Sequence, residues 1–149
     1  MTAQRPGTRL DGRAEAERLL VIARRVENGR YLFARWADWP HPTVISTLPP
    51  GEAEGFEAGL ETLLLGRFGV HIAHPPIRGK RRLPVRMPHP AGGGEAMGWV
   101  RPVAVEVAGE PSGAGPIESV DALTLEEALA GLVTDLECEA LRLGAALLP

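Results

Sequence analysis

The chain carries one cysteine, Cys138, among its 149 residues. No intramolecular disulfide can form, and a zinc site built on cysteines is excluded. Cys138 lies in an apolar helical pattern, which suits a small buried hydrophobe better than a reactive thiol. Long apolar runs are missing too. None reaches the ~18 residues that a membrane span requires. The opening "MTAQRPGTRLDGRAEAE" has no apolar core of a secretory signal. The expectation is a cytoplasmic protein with no membrane partner. Basic excess is also absent: a net charge of −3 supplies no global attraction to nucleic acid or to anionic membrane. Nucleic acid is not expected as a partner.

What is present belongs to an ordinary globular domain. The hydrophobic fraction is 44% and the charged fraction 23%, over a length that suits one core. Residues 1–16 are polar and read as a flexible lead-in, with the folded domain expected over 17–149. Arg18–Val26 and Tyr31–Trp36 form two β-rich runs around Asn28-Gly29, the signature of a hairpin. Thr43–Thr47 reads as a short strand ending at Pro49-Pro50-Gly51. From Gly55 the period becomes helical, with Phe56, Leu60, Leu63, Leu64 and Phe68 on one stripe and Gly69 as the stop.

"VHIAHP" is expected as a strand, and "IRGKRRLPVRM" as a basic connection leading into or containing one. "PHPAGGGE" is a loop, and "AMGWVRPVAVEVAGE" a long strand whose Pro102 implies an edge or a bulge. "PSGAGPIES" is a further loop. The last element is predicted as one helix over Thr124–Leu148, opened by a capping box of Thr124 and Glu127. Leu125, Leu129, Leu132, Leu136, Ala140, Leu143 and Leu147 recur along its face. That face packs on a sheet or, alternatively, pairs with a second subunit in a homodimer. The element order predicts an α/β sandwich around a central mixed sheet, with Phe56, Leu60, Leu63, Leu64, Leu129, Leu132 and Leu136 buried.

"YLFARW" followed by "LPPGEAEGFEAG" resembles the strand, turn and Glu-x-Gly-Glu-like segment of the Nudix hydrolases. The resemblance implies a single-domain Nudix-like α/β/α sandwich over 17–149. It also implies hydrolysis of nucleoside-diphosphate derivatives with magnesium or manganese. The family box reads Gly-x5-Glu-x7-Arg-Glu-U-x-Glu-Glu-x-Gly-U, with U a bulky aliphatic. Its glutamates hold a hard cation that bridges phosphate oxygens and activates water.

Anchoring the box on Gly69-Val70 places its Arg-Glu-U-x-Glu-Glu core on Thr62, Leu63, Leu64, Leu65, Gly66 and Arg67. The upstream glutamate becomes Glu54, and Leu48 takes the opening glycine position. Anchoring on Gly51 makes Glu57 the upstream glutamate and leaves the helix about three residues short. In both registers the arginine and the core glutamates are absent, so the box is degenerate.

Glu57 and Glu61 share a helix face, with Glu52 and Glu54 on the preceding loop. These four are the candidate metal ligands, and Glu54, Glu57 and Glu61 the catalytic candidates. The competing reading is a solvated helix face. Arg78, Arg81 and Arg82, within "RGKRRLPVR", could contact phosphate oxygens or simply form a solvated basic loop. Trp36 and Trp39 could stack a base or close a core. His71 and His74 point to opposite faces of one strand and make a poor ligand pair.

Three function classes remain open. The leading one is a Nudix-fold protein without hydrolysis, a binding or regulatory module for a nucleotide or phosphorylated ligand, with no cofactor expected. Its metal-free site would draw on Arg67 with Arg78, Arg81 and Arg82. The second is an active divergent hydrolase using Mg or Mn on Glu52, Glu54, Glu57 or Glu61. The third is a structural or protein-interaction domain.

Overall fold

The computed structural model describes residues 17–50, 55–88 and 95–149. The expected lead-in at 1–16, the acids Glu52 and Glu54, and most of "PHPAGGGE" lie outside the described residues. In chain order the elements are β1 (Glu17–Arg25), β2 (Tyr31–Trp36), β3 (Ile45–Thr47), α1 (Phe56–Phe68), β4 (His71–Ile72), β5 (Ile77–Arg78), β6 (Leu83–Pro88), β7 (Glu95–Ala108), β8 (Ile117–Leu123), α2 (Leu125–Gly131) and α3 (Asp135–Leu147). No helix among the described residues is long and apolar enough to cross a membrane.

The Asn28-Gly29 turn forms as predicted. Gly29 adopts φ 71°, its N–H reaches Arg25 O at 2.8 Å, and Asn28 Oδ1 accepts from the Arg30 N–H at 3.0 Å. Beyond it the two strands pair only at Arg24 and Tyr31 and then diverge. The wedge between them is filled by β3, antiparallel to β1 over Leu19–Val21, and by a bridge from Thr43 to Ala34. On its other side β1 runs parallel to β7 from Glu17–Trp99 to Arg25–Val107. The far side of β7 pairs antiparallel with β4, β5 and β6. The sheet closes with β8 against β2. Among the described residues it is a mixed sheet of eight strands.

Alternation along the strands creates two cores. Leu19, Val21 and Ala23 face α1 with Leu60, Leu64 and Phe68, whereas Leu20 and Ile22 face Ala140 and Leu141 of α3. The result is an α/β/α sandwich. Each fully buried Leu or Phe contributes about 1.5–3 kcal/mol of transfer free energy. α1 ends at Gly69, whose φ of 72° needs no Cβ relief and whose N–H closes on Leu65 O at 3.2 Å.

Several expectations change. The terminal helix is broken into α2 and α3 around Val133. A second cap causes the break: Thr134 Oγ1 accepts from the Glu137 N–H at 3.1 Å, and Glu137 Oε2 accepts the Val44 N–H at 2.8 Å. The capping box of Thr124 and Glu127 forms as expected. Pro102 lies in a central strand, not at an edge. Its carbonyl takes the Gly79 N–H at 2.8 Å, so its missing donor faces the gap between β5 and β6.

The end of "PSGAGPIES" is not loop, because Ile117–Ser119 belong to β8. Leu60, Leu64 and Leu132 are buried as predicted. Phe56, Leu63, Leu129 and Leu136 are half-buried at the core margins, and so is Cys138.

Candidate functional site

Because β1 and β2 diverge, the sheet leaves space that both layers border. A cavity of about 420 Å³ sits there. Leu20, Val44 and Val100 line it from the α3 side, and Ala34, Ile45 and Phe68 from the α1 side. Its polar lining is Arg18, Trp36, Thr43, Ser46, Arg67, Thr134 and Glu137. A second cavity of about 450 Å³ lies between the loop after β3 and α1, lined by Leu48, Thr62, Leu63, Gly66 and Arg67.

Three α1 residues stand out by position. Leu63 and Arg67 border both cavities, and Gly66 borders the second. These are the positions that carry the core glutamates when the box is anchored on Gly69-Val70. The rest of the helix fits that register: Leu64, at the bulky aliphatic position, is fully buried, as is Val70, and Gly69 makes the left-handed stop. On its cavity side α1 thus presents an aliphatic chain, a bare backbone and a cation.

Among the described residues, Glu57 and Glu61 do not restore a donor set. Glu57 is exposed in the first turn of α1. The Glu61 carboxylate accepts the Ile72 N–H at 2.9 Å and so ties the helix to β4. Among the described residues no three His, Cys, Asp or Glu side chains converge as metal ligands. Among the described residues, α1 presents no carboxylate to these cavities, whereas a divalent cation needs oxygen ligands.

The basic stretch turns elsewhere. The Arg78 guanidinium lies 4.5 Å from the Phe56 ring centroid. Arg81 approaches Glu139 at 3.7 Å, and Arg82 stacks over Trp99 at 4.4 Å while approaching Glu17 at 3.8 Å. None of the three lines either cavity. Trp36 does line the first, its Nε1 donating to Thr43 Oγ1 at 2.9 Å. Trp39 is half exposed beside His41 and borders a shallow polar depression with Arg35, Asp38 and Asp121.

Arg18 was not singled out in the sequence. Its one available signal was strand alternation, which puts it on the face of Leu20. There its Nε donates to Ser46 Oγ at 3.0 Å. Arg67 forms no ion pair among the described residues.

Elsewhere the acids have structural partners. The Glu106 carboxyl is held below the usual carboxylate range, chiefly by its 2.7 Å bond from Arg24. Glu27 is lowered by the Gly109 N–H, and Glu127 by the Thr124 N–H.

No family model matches the sequence, and no curated protein matches it. Solved structures do match. The MutT protein from Bacillus halodurans superposes with a TM-score of 0.64 at 9% identity, covering 85% of this chain and 79% of that one. The Escherichia coli dihydroneopterin triphosphate pyrophosphohydrolase gives 0.61 at 11% identity, over 85% and 92%. The Nudix domain of Shewanella oneidensis NrtR, solved with ADP ribose, gives 0.59 at 10% identity, over 91% and 89%. At such identities the likeness speaks for architecture, and on that ground the chain has the Nudix fold.

Proposed function

We propose that this chain is a divergent Nudix-fold module that binds a nucleotide or other phosphorylated ligand without a metal and does not hydrolyse it. The observation that carries this reading is the cavity face of α1, where Leu63, Gly66 and Arg67 stand in place of carboxylates. A bridging cation would find no carboxylate on these three residues and would meet a guanidinium instead. Arg67 inverts the local charge, so phosphate oxygens can be held directly by charge-assisted hydrogen bonds from its N–H groups. Arg18 adds a second cation to the same lining. The NrtR domain's complex with ADP ribose supports a phosphorylated, nucleotide-derived ligand as one class to test.

Calorimetry with ADP, ADP-ribose and simple organic phosphates, with and without chelator, tests the proposal. The expected result is binding that is indifferent to chelator, weakens with salt, and falls roughly tenfold or more in Arg67→Gln, the loss of one charged hydrogen bond. Binding that requires magnesium would contradict it.

A further inference from the structure

Apart from Arg18, Ser46 and Arg67, the polar side chains of the 420 Å³ cavity are already committed to protein partners. Trp36 Nε1 donates to Thr43 Oγ1, which in turn donates to Ala34 O at 3.1 Å. Thr134 Oγ1 donates to Glu137 Oε1 at 2.8 Å, and Glu137 Oε2 takes the Val44 N–H. Beyond these and Arg18, Ser46 and Arg67, the wall is carbon, including Leu20, Val85, Val100 and Leu136.

A nucleobase or ribose placed there would bury donors and acceptors that the wall cannot match, at a cost on the order of 1–3 kcal/mol for each unsatisfied group. A hydrocarbon chain meets no such cost. The volume falls at the small end of ligand pockets, roughly 300–1,000 Å³. The unspent donors belong to guanidinium groups. Arg18 uses only Nε, on Ser46, and Arg67 is unpaired among the described residues. The committed Glu137 carboxylate repels a phosphate from its part of the interior, which leaves the head group to the arginines.

Building on the metal-free phosphate site proposed above, we infer that the ligand is an amphipathic anion: a short aliphatic group carrying a phosphate or diphosphate. The aliphatic part fills the cavity, and Arg67 and Arg18 hold the head. Nucleotides are the weaker ligands of this pocket.

Titration with straight-chain alkyl phosphates from methyl to octyl, in chelator, beside inorganic phosphate, ADP and the matching alcohols, tests this. Affinity should rise about fourfold per methylene until the cavity is full. The alcohols should bind far more weakly than the phosphates. Val85→Trp or Leu136→Phe, each checked for cooperative melting, should stop the rise at a shorter chain. Arg67→Gln should lower affinity at every length by a similar factor. An affinity independent of chain length, or ADP binding tighter than every alkyl phosphate, overturns the aliphatic assignment and leaves metal-free phosphate binding standing. No binding by any phosphate compound removes both.

Discussion

α1 and α3 are each 13 residues long and lie on opposite faces of the same strand, β1. They are held in different ways. α3 is fixed by side chains, with Thr134 capping its start and Glu137 reaching across to the Val44 backbone. α1 has glycine at both ends and no side-chain cap. Its placement depends on Leu60, Leu64 and Phe68 below, on the backbone geometry of Gly69, and on Glu61, which ties it to the Ile72 backbone away from the cavity side. The residues on its cavity side can therefore change without disturbing the fold. A carboxylate set could be replaced by Leu63, Gly66 and Arg67 while the helix kept its seat. Glu137 in α3, like Glu61 in α1, cannot be exchanged so freely, because each accepts a backbone N–H from a neighbouring segment.

The largest effects should be equal on the two faces. Leu64→Ala and Leu141→Ala both empty fully buried positions and should each cost about 2–5 kcal/mol in denaturant unfolding. A negligible loss at Leu64 would break the claim that α1 is seated by its buried stripe.

Glycines sharpen the contrast. At Gly144 a Cβ would lie 2.7 Å from Ile22 Cβ, so Gly144→Ala should lift α3 off β1 and cost roughly 1–3 kcal/mol. At Gly66 nothing lies within 4 Å of an added Cβ, and Gly66→Ala should stabilise α1 by up to ~1 kcal/mol. Opposite signs in thermal melts are the expected outcome. Thr134→Ala comes next, with about 1 kcal/mol lost from the α3 cap. Hydrogen exchange should report faster opening in α3 and none in α1.

The smallest effect is a pH dependence. Glu106 bonds Arg24, which also donates to Pro149 O at 3.0 Å, while His74 Nδ1 lies 3.0 Å from the other Glu106 oxygen. The folded pKa of Glu106 is depressed, so its stabilisation is fully present above the ordinary carboxylate value. It is lost as pH falls through the lower folded value. Unfolding midpoints followed from neutral pH into that acid range should fall less steeply in Glu106→Gln than in the unmodified chain.

Local signals made much of this architecture readable. The Asn28-Gly29 turn, the Leu60–Leu64–Phe68 stripe and Gly69 are short-range features, and they act through local backbone geometry. The break at Thr134 was also written locally, since Thr134-Asp135-Leu136-Glu137 repeats the pattern of Thr124 and Glu127. Continuous leucine periodicity masked it. Pro102 misled because its tolerance depends on a gap between β5 and β6, a tertiary arrangement. At the site, Arg67 was legible from the box register, whereas Arg18 depends on which strands diverge. Arg78, Arg81 and Arg82 form a cluster in sequence, yet their partners Phe56, Glu139 and Glu17 come from distant segments.

On the reading proposed above, the α1 layer keeps the placement of a metal-binding helix without its chemistry. The most direct test is turnover of a panel of nucleoside diphosphate derivatives with magnesium and with manganese, using the unmodified chain. No metal-dependent hydrolysis above background is expected. Turnover near ordinary enzyme rates, about 1 per second or faster, that disappears in Glu54→Gln or Glu57→Gln would contradict it.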